Sequence, residues 1–560
     1  MWFASKKAAR PQPRSRTLGV KCEIMTSKQQ HIRHDLLPQK TAKGGIRFTF
    51  EGGPDTASVA VAGTFNSWVG DAAPLTRVGA NTWQTTVRAD PGRHHYKFVV
   101  NGSAWIRDPA NPWVSEDAQN NSCFTINEFG DVFVRTGAVS QQTPGDLYRR
   151  RSAVISPQWL ADGVIYQLSV RAFGGTFDGV RARLGHLQEL GVSIVWLMPV
   201  TPIGVQGRLG EHGDPYAVRD FCAIDPALGD AAGLRALVAD LHARGMRVIY
   251  DWTLNRAAVD NVLTLSHPEW FTHDSAGQLN YLVPNRSYFA GFNFASKPLR
   301  AWLIDAMQDW LATYAFDGLR FDDADITPTD FLDEIRAELL AARADLVLIA
   351  HSSDELHHLD ACDLTGDAGA RETMLRVARG ETGADALRWQ WEESTYTFPR
   401  GALRMRWLEE KEQGRAFRYF GHDLHLAAAA VIMTLDGVPH LMMGQEFNEP
   451  RWQDWRSLFD DFSLDWRSFD RPTFDHYRNL IALRGALPAL RQGAVHFVRS
   501  GAPQLLMYWR STAQQRILVA VNLSDTACAL PPAFASHQLL YARAVAANSI
   551  GACGCAIAKA

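Results

Sequence analysis

Over residues 46–126, apolar and polar positions alternate in short runs, IRFTFEG, SVAVAGTF, TWQTTVRA, HHYKFVVNG and CFTINE, with Gly, Pro, Asn and Asp between them. A period of two broken by turn formers predicts an all-β sandwich of immunoglobulin-like type over 44–130. From residue 164 the period changes. Short apolar runs (VIYQLSV, SIVWLM, RVIYD, GLRFD, LVLIA, ACDLT, RYFGHD, PHLMMGQE) alternate with longer amphipathic stretches. In one of these Leu299, Leu303, Met307, Trp310 and Tyr314 recur at helical spacing. Eight strand-then-helix units within 155–470 predict a closed (β/α)8 TIM barrel, with a short insertion at 257–296 after the third strand. Beyond it, HYRNLIALRGAL reads as a helix, and AVHFVRS, QLLMYWRS and RILVAVNLS as strands of a small antiparallel β domain over 471–560.

Composition adds exclusions. With 46% hydrophobic and 21% charged residues in 560, the chain is a folded multidomain protein. Lys+Arg 57 against Asp+Glu 60 leaves a net charge of −3, which offers no field for a polyanion, so nucleic acid is not an expected partner. The longest apolar run, residues 424–435, is broken by His425 and is too short to span a bilayer, so no membrane partner is expected either. Residues 1–43 carry ten Lys or Arg against Glu23 and Asp35, without the apolar segment of a secretory signal. They read as a disordered tail, with an organelle-type presequence or a start at Met25 as the alternatives. Seven scattered cysteines argue for a reducing compartment, the cytoplasm, over a disulfide framework. The C-G-C at 553–555 has no matching ligand pair, and neither metal nor cofactor is expected. The surplus is in tryptophan, 18 in all, whose flat faces suit stacking on sugars or bases.

Barrels carry their chemistry where strands end on the C-terminal face. The polar residues at those points are Asp251, Asn255 and Arg256 after the third strand and Arg320, Asp322 and Asp323 on the fourth. His351 ends the fifth, and His422 and Asp423 end the run taken as the seventh. Arg320 stands two residues before Asp322, so both side chains share a face and the guanidinium can hold the carboxylate ionised.

In their order, these segments resemble the short motifs of glycoside hydrolase family 13, the α-amylase family, from about residue 44 to 525. RVIYDWTLNR at 247–256 resembles the D-x-x-x-N-H motif through Asp251 and Asn255. GLRFDDAD at 318–325 resembles G-x-R-x-D, and FGHD at 420–423 the F-x-N-H-D type. HGDPYAVRDFCAIDPALG at 212–229 resembles the loop whose tyrosine, here Tyr216, stacks on the sugar, and GVPHLMMGQEF at 437–447 the eighth-strand segment. The resemblance implies retaining hydrolysis or transglycosylation of glycogen, starch or maltooligosaccharides. Asp322 would be nucleophile, Asp423 the third carboxylate, and Tyr216, Asp251, Asn255, Arg320 and His422 sugar contacts.

The third motif, however, should end the fifth strand with an acid/base Glu. In LVLIAHSSDELHHLDACDLT that position is His351, either an altered proton donor or a fixed cation paired with Asp322 or Asp423. Retaining glycosidases need both carboxyls, so turnover is expected to be weak and His351→Glu to raise it. The alternative is a non-catalytic α-glucan-binding or regulatory protein. Arg256, Gly421 and GFNF at 291–294 also depart from the motifs. The N-terminal segments VAGTFNSW at 61–68, YKFVVNGSAWIRDPANP at 96–112 and QNNS at 119–122 resemble carbohydrate-binding module family 48 and the glycogen-binding domain of AMP-activated kinase. That implies glucan binding by Trp68, Lys97, Trp105 and Asn120.

Overall fold

The computed structural model describes residues 35–560 except 91, 116–120, 127–131, 135–150, 275 and 281–285. These form two compact units, divided near residue 143.

In the N-terminal unit two antiparallel sheets share one apolar core. Ile46–Glu51 is flanked by Gln39–Lys40 and Thr82–Val87, with Thr76–Arg77 on the outer edge. Gly92–Val100 pairs with Val59–Gly63, Ser122–Ile126 and the short Ala104–Ile106. The inward positions of the alternating runs meet between the sheets: the Phe48 ring lies 4.9 Å from that of Tyr96 and 5.5 Å from that of Phe124, and Phe50 lies 4.9 Å from Phe98. Tyr96 is fully buried, and its hydroxyl donates to Asp108 Oδ2 at 2.6 Å, so the ring's polar tip is satisfied inside the core.

The second unit is built on a closed ring of eight parallel strands: Ile165–Leu168, Ile194–Leu197, Arg247–Thr253, Gly318–Asp322, Val347–Ala350, Leu364–Gly366, Leu403–Arg406 and Val438–Met442. The ring closes where Ile165 of the first strand meets His440 of the eighth. Its interior is filled by Ile165, Ile194, Trp196, Ile249, Val347, Ile349, Leu364, Met405 and Val438, a packed core. Outside the ring, the helix Lys297–Tyr314 buries Leu299, Leu303, Met307, Trp310 and Tyr314, the spacing read from the sequence.

The seventh strand differs from expectation. RYFGHD is not a strand; it falls on the helix Ala416–Phe420 and the start of the helix His422–Thr434. The strand is LRMR, and it hides from a hydrophobicity pattern because two of its four residues are arginines. Their charges are met locally: Arg404 donates to the Gly366 carbonyl at 2.7 Å, and Arg406 pairs with Asp367 at 3.0 Å and Asp436 at 2.6 Å.

In the 257–296 insertion, Arg256–Ala258 pairs antiparallel with Phe289–Gly291. Trp270, Phe271, Tyr288 and Phe292 are buried, so they pack instead of lining a cleft; Tyr281 lies outside the described residues. After the helix Arg471–Ala486 comes a curled six-stranded antiparallel sheet. Its long last strand Ser549–Lys559, which carries Cys553 and Cys555, pairs with Arg516–Asn522, Cys528–Ala529 and Gln538–Ala546. No helix among the described residues is long and apolar enough to cross a membrane.

Candidate functional site

Of the eight barrel residues to which the resemblance gives a role, six converge at the C-terminal mouth. The strand register sets Asp251 beside Arg320 and Thr253 beside Asp322. Arg320 donates through one nitrogen to Asp251 Oδ1 at 2.9 Å and to Asp322 Oδ1. Asp251 Oδ2 accepts from Trp196 Nε1 at 2.9 Å and from the Tyr216 hydroxyl at 2.6 Å. Asn255 donates to the carbonyls of Asp322 and Asp323 at 3.1 and 2.8 Å. Those bonds hold Asp323 in a left-handed conformation, φ 48° and ψ 47°, costly for a residue with a Cβ unless the surroundings fix it. The turn brings Asp323 and Asp322 to the same cations.

His351, at the end of the fifth strand, directs Nδ1 to Asp322 Oδ1 at 3.3 Å and Asp323 Oδ1 at 3.5 Å, and Nε2 toward Glu410 Oε2 at 3.9 Å. Burial and Arg320 push the imidazole pKa down, but bonding to Asp322 and Asp323, with help from Glu410, raises it above its ordinary value. The Nδ1 edge of His351 is thus already engaged by two carboxylates, which favour the protonated imidazole.

His422 and Asp423 do not join this group. Both are exposed at the first turn of the helix His422–Thr434; Asp423 pairs with Arg543 at 2.6 Å, and His422 faces Asp470 at 3.3 Å. The assignment of Asp423 as third carboxylate and of His422 as sugar contact is thus corrected. The FGHD match fell past the true seventh strand, and a helix surface there points the pair toward the C-terminal sheet. The segment that does follow that strand reads W-L-E-E-K-E at 407–412, placing Glu410, Lys411 and Glu412 where the F-x-N-H-D motif has Asn, His and Asp. Two glutamates flanking a lysine directly after an LRMR strand are the signal that sequence reading passed over.

Lys411 changes the chemistry of the site. Its Nζ lies 3.1 Å from Asp322 Oδ1, 2.7 Å from Glu412 Oε1 and 4.2 Å from the centroid of the Tyr216 ring. Arg256, where the first motif would have His, is also buried; it binds Asp322 Oδ2, pairs with Asp323 at 2.9 Å and covers the Phe289 ring at 4.6 Å. Asp322, with no exposed surface, thus has Arg320, Lys411 and His351 on one oxygen and Arg256 on the other. Burial pushes its pKa up, but Lys411, Arg320 and Arg256 outweigh that and hold the carboxyl well below the usual range. A carboxylate so saturated is a poor nucleophile, because attack must strip donors from the attacking oxygen. Asp322, Asp323 and His351 lie close enough to share a metal ion. With Arg256, Arg320 and Lys411 already against those carboxylates, they do not suit a further cation.

On the N-terminal unit, the outer face of the larger sheet carries Ala60, Ala62, Lys97 and Val99, with Trp68 packed on the alanines and valine. Trp105 stands opposite Val99, and its ring centroid lies 6.4 Å from that of Trp68 at an interplanar angle of 35°. Trp105 is 43% exposed, far more than an indole left to pack. The turn before Trp68 explains the G-T-F-N-S-W pattern. Gly63 passes so close to the His95 carbonyl that a Cβ would sit 2.3 Å from it. Asn66 accepts from the Gly63 amide at 2.9 Å and donates to the Val61 carbonyl at 3.0 Å. Asn120 lies outside the described residues.

A closed parallel barrel with its polar residues gathered at the strand ends, in a chain that also carries a separate unit of two antiparallel sheets, defines a class of multidomain barrel protein. Residues 133–265 match the profile described as the catalytic domain of alpha amylase, and residues 46–128 that of the glycogen recognition site of AMP-activated protein kinase. The alpha-amylase MalA of Haloarcula japonica is 28% identical over 70% of this chain and 60% of its own; the chain thus spans less than two thirds of that relative. A cyclomaltodextrinase of Geobacillus thermopakistaniensis is 22% identical, over 83% and 84% of the two chains. Among solved structures, the maltogenic alpha-amylase AmyB of Thermotoga neapolitana is 28% identical with a TM-score of 0.62, covering 66% of this chain and 88% of its own. An alpha-amylase of Lactobacillus plantarum is 25% identical with a TM-score of 0.64, covering 72% and 100%. The chain thus carries a match to the catalytic domain of the α-amylase family, glycoside hydrolase family 13, over residues 133–265, and one to a glycogen-recognition module of carbohydrate-binding family 48 type over 46–128. His351 stands where that family has its acid/base glutamate.

Proposed function

We propose that this chain acts on α-glucan, glycogen, starch or maltooligosaccharide, and that it holds the polymer through the N-terminal unit. The observation that carries this reading is the Trp68 and Trp105 pair, adjacent, inclined to each other and set over small residues. Two indoles present apolar faces to successive glucose rings, while Lys97 on the same face supplies a polar contact to hydroxyls, the role the family resemblance also gives to Asn120. In this reading the unit is an immunoglobulin-like sandwich. Trp68→Ala with Trp105→Ala is expected to abolish retention of the full chain on glycogen or amylose; undiminished retention would move binding elsewhere.

In the barrel, Tyr216, Asp251, Asn255, Arg320, Asp322 and His351 derive from a retaining glycosidase centre, and turnover is weak. The second reading, a non-catalytic α-glucan-binding or regulatory protein, is favoured by one further observation: Arg256, Arg320, Lys411 and His351 all occupy Asp322. Purified protein is expected to cleave maltoheptaose or pullulan at least about 10²-fold more slowly than a relative with its acid/base intact, general acid–base assistance being worth about 10²–10⁴. Asp322→Asn abolishes the residual rate if that weak turnover runs through the barrel's nucleophile, and leaves it unchanged under the non-catalytic reading. Rapid cleavage abolished by Asp322→Asn would reject both the weak-turnover and the non-catalytic reading. Cys222, Cys362, Cys528, Cys553 and Cys555 are all thiols, which supports placement in the cytoplasm.

A further inference from the structure

We infer that Lys411 is a built-in occupant of the barrel's sugar position, closing it to a pyranose ring so that carbohydrate is recognised only elsewhere on the chain. The inference rests on the α-glucan reading above. Three features of one side chain converge on it. The Lys411 ammonium sits 4.2 Å from the centre of the Tyr216 ring, the distance at which a cation is held by an aromatic face. An aromatic face covered by an ammonium is not available to the apolar face of a sugar. The same ammonium is 3.1 Å from Asp322 Oδ1, in the space through which that oxygen would have to reach an anomeric carbon. Finally, Lys411, Tyr216 and Asp322 are 3%, 4% and 0% exposed, so no water-filled gap remains beside the lysine for a ring to enter.

Lys411 is also held in place. Glu412 takes a second of its protons at 2.7 Å, and the flanking carboxylates keep it charged, so it cannot withdraw as a neutral amine. Displacing it would take one of four partners from Asp322 and the close cation from Glu412, in a site where a lost charge partner costs far more than on a surface. A ligand offering only hydroxyl groups does not compensate for that loss. The pocket therefore retains the aromatic floor and carboxylates of a sugar site while being filled by the protein itself.

The test uses the full chain carrying Trp68→Ala and Trp105→Ala, so that only the barrel is read, with maltotriose as probe in calorimetry and in crystal soaks. With Lys411 present, no measurable binding and no sugar on Tyr216 are expected. Adding Lys411→Ala is expected to tighten binding by at least about tenfold, equivalent to 1.4 kcal/mol, with a sugar ring on Tyr216 and the gain lost on Tyr216→Ala. If Lys411→Ala lacks the near-ultraviolet dichroism of the folded chain, Lys411→Gln, shorter than lysine and neutral, takes its place. A sugar ring on Tyr216 while Lys411 remains overturns the inference, and so does a folded Lys411 variant that still binds nothing. Failure of the α-glucan reading shows separately, as absence of retention of the unaltered chain on glycogen.

Discussion

Replacing His351 by Glu alone is expected to leave α-glucan cleavage at the wild-type level, whereas His351→Glu with Lys411→His and Glu412→Asp is expected to raise it by about 10²–10⁴-fold. The single change supplies the missing proton donor but leaves Lys411 and Arg320 on Asp322 Oδ1 and Arg256 on Oδ2. The sequence alone predicts a gain from His351→Glu, and the geometry removes that expectation because the nucleophile remains bound. The triple variant removes two of the three cationic partners from Oδ1 and leaves Arg320, which fixes the carboxylate's orientation. It also supplies, at position 351, the second carboxyl that a double displacement requires beside Asp322, and shortens the one at position 412. Initial rates on maltoheptaose decide the matter, with Asp322→Asn added to the triple variant as the control that must abolish the gain. A full gain from His351→Glu alone would mean that Lys411 does not restrain Asp322.

The barrel unit is expected to lose stability steeply as pH falls from 6.5 to 5. Burial holds His358 well below its ordinary pKa, lowers His425 and His440 to about 3 and lowers His476 to about 4. Below about pH 6.5 each of these takes up a proton in the unfolded chain but not in the folded one, so stability rises with pH across this window. Each group contributes up to about 1.4 kcal/mol per pH unit, and the four together up to about 5.6 kcal/mol per pH unit. The charged site does not oppose this trend. Asp322 and Asp323 have folded values below the unfolded one, so their contribution is complete above about pH 4 and is lost only at lower pH. His351, raised in the folded state, contributes fully below about pH 6.5 and loses that contribution only as pH rises past its folded value. Urea midpoints between pH 6.5 and 5 measure the slope, and His440→Gln, which can still reach Gln167, should reduce it by about a quarter. A midpoint that does not move with pH would show that these histidines are protonated in the folded chain.

The barrel was legible because its interior strands are apolar and its helices periodic, and Asp251, Asn255, Arg320, Asp322 and His351 were legible because each ends or follows an apolar run. The LRMR strand has no such run: Arg404 and Arg406 are satisfied by Gly366, Asp367 and Asp436, partners distant in sequence. Once that strand was missed, the motif after it slid to FGHD, and Lys411 went unread. The cation that holds Asp322 from the far side of the mouth is a tertiary fact; the lysine itself is an ordinary residue between two glutamates. The saturation of Asp322 was half visible, in His351 and Arg256, and half hidden.

The charge array has a consequence for how long the fold lasts. Arg320 and Asp251 join neighbouring strands, but Lys411 reaches from beyond the seventh strand to Asp322 at the end of the fourth, tying the ring across its mouth. A link of that kind needs the fourth and seventh strands both in place, since it joins residues 89 positions apart. Interactions made after the rate-limiting step of folding do little to accelerate it and act almost entirely on the reverse reaction. The mouth of the barrel is thus clasped across strands that are not neighbours, and loosening it by Lys411→Ala is expected to show mainly as faster unfolding.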